Sequence, residues 1–332
     1  MRHYLEQVIK EIIMADGYQA YSKNFSTQNN SLPEEYTNKI INGNSLDVLK
    51  QLPDNCVDLV FTSPPYNFGM GYDTHNDKTD WPAYFKMLWE IFDECIRVTK
   101  HGGRIIVNTQ PLFSEYIPSH HLISKGFLDR GLIWKAEILW EKNHRNCAYT
   151  AWGSWKSPSG PYFKYTWEFL EVFCKGTLVH KGDSKLADIT GNEFKTWVDA
   201  KWSITPEHKM KEYGHPAMFP VELAYRALKL FSFQEDVILD PFNGAGTTSF
   251  VASKTGRKYL GIDMSSEYCK TAENRILNEE IKDFSAALDA KLALEGKDKS
   301  LKERGEIPNH KKVKKSKTAE PSLPLHLFDT VE

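Results

Sequence analysis

A doubly wound, mostly parallel α/β sheet is the architecture this sequence predicts, and three observations carry it. Short apolar runs rich in Val and Ile alternate with stretches of helical spacing through most of the chain. The segment "VILDPFNGAGTTSFVASKTGRKYLGIDM" reads as strand, Gly-rich turn, helix and strand, the unit from which parallel sheets are built. The chain has 332 residues, 41% of them hydrophobic, enough to bury one large core or two smaller ones.

Taken in order, residues 1–37 read as an amphipathic helix and a polar linker rich in Ser and Asn. A strand "NKIINGN" then precedes a helix "SLDVLKQL", for which Ser45 is the expected N-cap. "VDLVFT" is the next strand. The helix "WPAYFKMLWEIFDECIRVTK" has apolar residues at i, i+3, i+4 and i+7 and is expected to end at Gly102-Gly103, before a strand "RIIVNT". Further strands are "LIWKAEILW" and "WEFLEVFCKG"; "VELAYRALKLFS" is a helix. After the Gly-rich unit, helical pattern runs from Ser266 to Leu294, so the body of the protein spans residues 38–295. Residues 296–332 are charged and poor in apolar side chains, which predicts a flexible tail. Two stretches break the alternation, 143–165 and 177–213, and both are rich in aromatics, Lys and Gly. Irregular stretches this long in a compact domain are usually functional.

Composition narrows the class. The net charge of −2 neither advertises nor forbids nucleic acid, because a basic face can hide inside a neutral total. The five cysteines contain no C-x-x-C pair, which argues against a zinc site or a disulfide scaffold; no metal is expected, and a reducing, cytoplasmic setting is. No window approaches eighteen consecutive apolar residues, so no membrane span is expected, and the N-terminus lacks a signal-peptide core.

Two motifs carry chemistry. In "FTSPPYNFGMGYD" an apolar strand gives way to Ser63, Pro64, Pro65 and Tyr66. Prolines cannot donate to a sheet ladder, so the strand stops there in a rigid turn rich in acceptors and tipped by an aromatic ring. In "DPFNGAGTT" the strand ends in Asp240 and the turn supplies Phe242, Gly244, Gly246, Thr247 and Thr248. The following strand ends in Asp263, roughly 20 residues on, where an acid meets a ribose hydroxyl in doubly wound folds. A complete G-x-G-x-x-G would need Gly at Ser249, so a nicotinamide enzyme is disfavoured.

Together these stretches resemble the amino-group DNA methyltransferases that use S-adenosyl-L-methionine. "DPFNGAGTT" is similar to their cofactor motif and "FTSPPY" to their catalytic motif, in the circularly permuted β-type order. "NGNSLDVL" stands where the family commonly has Gly-Asp, here with Asn44, and "GHPAMFP" resembles its His-Pro motif, with His215 and Pro216 beside the cofactor. The resemblance implies a Rossmann-like S-adenosylmethionine-dependent methyltransferase fold with an inserted recognition region. It implies that Ser63 Oγ and the Pro64 carbonyl accept hydrogen bonds from the exocyclic amine of a flipped base, on which Tyr66 stacks. Asn44 would contact the adenine of the cofactor, the 240–248 loop would hold it, and Asp263 would bind its ribose. Ser at the first motif position points to cytosine N4, with adenine N6 the alternative; an RNA or protein amine is a further one. The partner would be double-stranded DNA, contacted by Trp152, Trp155, Lys156, Tyr162, Lys164, Trp197, Lys201 and Trp202, with a cognate restriction endonuclease as a possible companion. Carbon-5 methylation would need a Cys following a Pro, and no Cys here does.

Overall fold

In the computed structural model, residues 23–67, 80–111, 116–142 and 153–302 are described, those from 295 to 302 by backbone alone. Eight strands form one sheet: β1 (Lys39–Asn42), β2 (Val57–Thr62), β3 (Thr99–Thr109), β4 (Ile133–Glu141), β5 (Trp167–Cys174), β6 (Lys201–Ser203), β7 (Val237–Asp240) and β8 (Lys258–Asp263). They lie in the order β1-β8-β7-β2-β3-β5-β4-β6. Only β5 runs antiparallel to its neighbours, β3 and β4. β2 is buried at every position, so both of its faces are covered, and an unbroken apolar run suits it.

Position in the sheet matters more than position in the chain. β2 pairs with β7 in parallel, Leu59 opposite Ile238 and Val60 opposite Leu239. From β2 the chain continues to β3 on one side, and from β7 to β8 on the other. Two neighbouring strands whose connections diverge leave a crevice at their carboxyl ends, the place where doubly wound folds bind ligands.

The helices pack on this sheet by the patterns their sequences carry. The helix α1 (Ser45–Leu49) is capped by Asn44, whose side chain accepts from Leu46 N, and not by Ser45 as expected. Ser45 instead donates to the Pro241 carbonyl at 2.5 Å, which ties this turn to the β7 loop. The helix α2 (Trp81–Val98) is capped by Asp80 and buries Tyr84, Leu88, Ile91, Phe92 and Cys95. It ends before Gly102-Gly103, because Thr99 turns extended and its hydroxyl returns to the Cys95 carbonyl at 2.6 Å. The glycines fall inside β3, where a Cβ on Gly103 would sit 2.8 Å from the Asp58 carbonyl. The remaining helices are α3 (Ser119–Asp129), α4 (Gly191–Trp197), α5 (Val221–Phe231), α6 (Thr247–Lys254), α7 (Ser266–Asn278) and α8 (Phe284–Lys302).

The helical run expected from Ser266 to Leu294 is interrupted. Glu279 adopts an extended backbone, and its carboxylate is drawn to the Tyr213 hydroxyl at 2.9 Å. Helix α8 then runs to Lys302, so the first residues of the expected tail are helical; the N-terminal helix and residues beyond Lys302 lie outside the described residues. The chain divides into two compact units, Met1–Ser285 and Ala286–Glu332. No helix among the described residues is long and apolar enough to cross a membrane. The four described cysteines, Cys56, Cys95, Cys174 and Cys269, are buried free thiols.

The stretch 177–213 is less irregular than its composition suggests. It contains α4, with a complete Thr190–Glu193 capping box, and β6, which extends the sheet in parallel beside β4. This overturns the expected role of two residues. Trp197 and Trp202 are 2% and 1% exposed, and the Trp202 indole donates to the Trp197 carbonyl at 3.0 Å. Arg226 lies over both rings, 5.7 Å from each centroid. They are the core that fixes this segment to α5, and a base cannot stack on a ring so enclosed. The buried Lys229–Glu193 ion pair, 2.7 Å, closes the same contact from the other side.

Trp202→Ala is therefore expected to act through stability. Truncating a buried Trp costs about 3–5 kcal/mol, so denaturant unfolding should show a loss of that size, whereas a surface base-stacking residue would leave the unfolding midpoint in place.

Candidate active site

The two chemical motifs, far apart in the chain, meet across the β2–β7 pair. Thr62, the last residue of β2, donates its hydroxyl to Asp240 Oδ1 at 2.6 Å, at the end of β7. Asp240 also receives the Phe242 N–H at 3.1 Å, which turns the chain sharply out of the strand. Asp263, at the end of β8, accepts Gly244 N at 2.7 Å and Ser265 N at 2.9 Å. Three parallel strands thus deliver their ends to one crevice, and two carboxylates stitch the loops that follow them. The crevice widens into a cavity of about 1080 Å³.

Asn44, Ser63, Pro64, Pro65, Tyr66, His215, Pro216, Asp240, Phe242, Gly244, Thr247 and Asp263 all line that cavity. Gly246 and Thr248 do not. A Cβ on Gly246, which sits at φ +78°, would come 2.4 Å from Ala272 Cβ, so its bareness serves the close approach of α7 and not of a ligand. The Thr248 hydroxyl donates to the Phe61 carbonyl at 3.2 Å and braces β2 against α6. Gly244, at φ +48°, faces the His215 ring, where a Cβ would lie 2.6 Å from Nε2. Asn44 has spent its Oδ1 on the helix cap, so its amide nitrogen is the group it can turn to a ligand.

Electrostatics distinguish the lining groups. Burial pushes the Asp240 carboxyl up to about 6, and neighbouring Asp263 adds to the effect, against the Thr62 hydrogen bond. No cation is paired with Asp240 among the described residues. Burial lowers His215 to about 4, so its imidazole is neutral near neutral pH, packed 4.6 Å from the Tyr268 ring. Burial raises the Cys56 and Cys269 thiols to about 11, and among the described residues no cysteine lines the cavity.

The SPPY turn is held from behind. Tyr84 donates to the Pro65 carbonyl at 2.6 Å, and Ser63 Oγ donates to the Tyr66 hydroxyl at 3.1 Å. Among the described residues no donor meets the Pro64 carbonyl. Tyr66 lines the cavity as a largely enclosed residue: it is 6% exposed and belongs to the hydrophobic core, and its hydroxyl lies 3.2 Å from Glu168 Oε2. The ring thus forms a wall of the cavity and the hydroxyl has partners of its own.

Sequence reasoning missed the opposite wall. Antiparallel β5 starts at the same edge of the sheet where the parallel strands end, so Trp167 and Glu168 face the SPPY turn, with Phe163, Tyr165, Trp140 and Lys142 beside them. Phe163 and Tyr165 are 76% and 38% exposed. The signal was a run of aromatics leading straight into a strand, which gains meaning only once the direction of β5 is known. Of the residues expected to meet DNA, Trp155, Lys156 and Tyr162 are exposed, Lys164 is half-buried, and Lys201 is exposed beside Glu141 at 3.2 Å. Trp152 lies outside the described residues. A second cluster, Asp58, His180 and Asp236, has ligand-like geometry at the amino end of the sheet. Lys100 ion-pairs with Asp58 at 2.8 Å, and His180 Nε2 lies 2.8 Å from Asp236 Oδ2.

A fold of this class with a crevice between diverging strands invites comparison with known proteins. The chain belongs to the N6/N4 DNA methylase family (N6_N4_Mtase), whose profile matches residues 57–274. Type II methyltransferase M.BglII from Bacillus subtilis is 29% identical over 255 residues, 73% of this chain and 69% of that protein. DNA adenine methyltransferase YhdJ from Escherichia coli K12 is 27% identical over 256 residues, 71% of this chain and 82% of the other. Among solved structures, TTHA0409 from Thermus thermophilus, complexed with S-adenosyl-L-methionine, has a TM-score of 0.59 at 26% identity. That match covers 73% of this chain and 93% of that one.

The Asp240 carboxyl makes a pH prediction for the ligand-free protein. Its pKa in the fold, about 6, lies above the ordinary 3.8, so its contribution to stability is full below 3.8 and is lost as pH rises through 6. The whole effect is on the order of 3 kcal/mol, roughly half of it between about pH 5 and 7.5. Asp240→Asn, which keeps an acceptor for Thr62 and Phe242, should remove that slope; parallel pH dependences of unfolding for the two proteins would refute the assignment.

Proposed function

We propose that this DNA methylase transfers a methyl group to the exocyclic N4 amine of a cytosine rotated out of duplex DNA. The observation that carries the reading is the acceptor pair at the end of β2, Ser63 Oγ and the Pro64 carbonyl, opening on a cavity lined by no described cysteine. S-adenosyl-L-methionine is the cofactor, and when bound it supplies the methyl as an electrophile on a sulfonium. The residues present fit such a cation. Asp240 is a fully buried carboxyl on the cavity wall, raised to about 6 by burial and, less, by neighbouring Asp263, with no cation paired to it among the described residues. Asp240, Phe242, Gly244, Thr247, Asp263 and Asn44 are the residues that would hold the cofactor, with neutral His215 and Pro216 closing the wall beside them.

An exocyclic amine is a poor nucleophile because its lone pair is delocalised into the ring. Two acceptors on its two hydrogens favour a pyramidal nitrogen with the lone pair free to attack. Ser63 and Pro64 can act so without reorganising, since the prolines fix φ and Tyr84 anchors the Pro65 carbonyl. As the nitrogen–carbon bond forms, the sulfur–methyl bond would break with its electron pair left on the neutral thioether sulfur, and the nitrogen would then pass its extra proton to water in the open cavity. No covalent nucleophile is needed, and burial has made the described thiols poor ones. A flipped base needs apolar faces to replace its stacking, and Tyr66, Tyr165, Phe163 and Trp167 bound the cavity on the two sides where it would enter.

Ser in the first motif position favours cytosine N4. Adenine N6 is the second reading, supported by the 27% identity to an adenine methyltransferase. Target recognition would fall to the segment 177–213 with the loop 143–165, whose exposed Trp155, Lys156, Tyr162 and Lys201 offer stacking and phosphate contacts. A cognate restriction endonuclease is the companion that similarity to type II methyltransferases suggests.

Digesting DNA from cells that express the protein and separating the nucleosides by mass spectrometry tests the target base. N4-methylcytosine is expected, and N6-methyladenine would move the assignment to the second reading. In vitro, Ser63→Ala should weaken DNA binding by only about 1 kcal/mol, the worth of one neutral hydrogen bond. The single-turnover rate should fall on the order of a hundredfold, because an acceptor matters most as the nitrogen becomes positive. An undiminished rate would remove Ser63 from the chemistry.

A further inference from the structure

Behind Ser63 lies a buried polar chain that the reaction as described does not use. Ser63 Oγ lies 3.1 Å from the Tyr66 hydroxyl, and the Tyr66 hydroxyl lies 3.2 Å from Glu168 Oε2. Asn108 Nδ2 donates to the same carboxylate oxygen at 2.6 Å and reaches the Tyr66 oxygen at 3.4 Å. The other oxygen, Oε1, is ion-paired by Lys142 Nζ. Glu168 is 3% exposed, Asn108 1% and Tyr66 6%. Burying a carboxylate is costly unless donors surround it as they do here, and β5 brings Glu168 within two hydrogen bonds of Ser63.

The direction of these bonds is fixed by their end. A carboxylate accepts and has no proton to give. The single proton of the Tyr66 hydroxyl is therefore committed to Glu168, and the Tyr66 oxygen can only accept on its other side. That in turn commits the single proton of Ser63 to Tyr66. What Ser63 presents to the cavity is then lone pairs. Without such an end the Ser63 hydroxyl could rotate and point its hydrogen at the incoming amine, a donor against a donor. Asn108 is oriented by the same carboxylate: its NH₂ faces Glu168, which leaves Oδ1 as an acceptor with no partner among the described residues.

We infer that Glu168 is a positioning residue for methyl transfer: through Tyr66 it polarises the chain so that Ser63 meets the target amine as an acceptor. The inference rests on the reading of Ser63 as one of the amine's acceptors. It assigns the Tyr66 hydroxyl a task beyond that of its ring, and it makes the pair Lys142 and Asn108 the supports of Glu168. Replacing Glu168 by Gln keeps the shape but gives the end of the chain an NH₂ that can donate to Tyr66, which reverses every bond up to Ser63.

The test compares Glu168→Gln, Tyr66→Phe, Ser63→Ala and the double variants with Ser63→Ala in single-turnover methylation of duplex DNA. Unfolding midpoints and equilibrium affinity for DNA are measured in parallel. Glu168→Gln and Tyr66→Phe should each lower the rate on the order of tenfold or more, with DNA affinity kept within about threefold. Added to Ser63→Ala, neither should cost anything further, because both act through the same hydroxyl. Should Glu168→Gln fail to fold with Lys142 left unpaired, Glu168→Gln with Lys142→Met removes that charge, and Tyr66→Phe alone still breaks the chain. Wild-type rates in Glu168→Gln and Tyr66→Phe alongside a slow Ser63→Ala would overturn the inference and leave the Ser63 reading standing. Additive losses would also overturn it, placing Glu168 on another route. A Ser63→Ala variant at full rate would overturn the reading beneath it.

Discussion

The lateral pairing of β2 with β7 is the contact on which the site depends. Two short registers, Leu59 with Ile238 and Val60 with Leu239, bring together the ends of strands that the sequence keeps far apart. The hydrogen bond from Thr62 to Asp240 then locks the two exits at 2.6 Å, inside the protein where its partner cannot be replaced by water. Because β2 leads on to β3 and β7 to β8, the loops diverge and leave the crevice open. A slip of one residue in either strand would turn Thr62 and Asp240 to opposite faces and separate the acceptor turn from the Gly-rich loop.

Around that lock the site is divided between two kinds of polar group. Asp263 and Asn44 are largely consumed in holding backbone, through Gly244, Ser265 and Leu46. Such bonds make the loops rigid before any ligand arrives, so less ordering is needed on binding. Asp240 differs, since among the described residues it is buried with a hydroxyl and a backbone N–H but no cation, and burial holds it well above an ordinary carboxyl. The opposite wall repeats the contrast with aromatic rings for surface and the Glu168 cluster for polarity. Among the described residues the cavity thus combines a carboxyl without a paired cation, a turn whose Pro64 carbonyl meets no donor, and two aromatic sides.

The insert between β5 and α5 shows how composition misleads when burial is unknown. Its tryptophans suggested a surface for bases, yet Trp197 and Trp202 are among the most enclosed side chains of the protein. In the insert the exposed aromatic is Phe194, while Trp155, Tyr162, Phe163 and Tyr165 are exposed in the stretch that leads into β5. Both stretches are rich in Trp, Tyr and Lys, and nothing local separates a ring that packs against Arg226 from one that faces solvent. The α4 capping box, Thr190 with Glu193, was written in the sequence and marks an ordered helix rather than a binding loop.

What the sequence determined by itself is everything that is local or periodic. The alternation of apolar runs with helical spacing set the sheet and its class. Proline chemistry set the stop after Thr62, and the Asp240–Thr247 turn announced a strand meeting a helix. Helix ends were legible only to within a few residues, because Asn44 and Ser45 are both good caps and Thr99 outcompeted two glycines by pairing with β2. The tertiary structure alone decided which groups share the cavity. Glu168, Lys142 and Asn108 come from three separate parts of the chain, and only the reversed direction of β5 carries Glu168 to the edge where β2 and β3 end. The uses of Gly246 and Tyr66 were settled the same way, since a missing Cβ gains its meaning from Ala272 opposite it and a phenol from the carboxylate at its end. Periodicity records which face a residue takes, but the partner it meets there comes from another part of the chain.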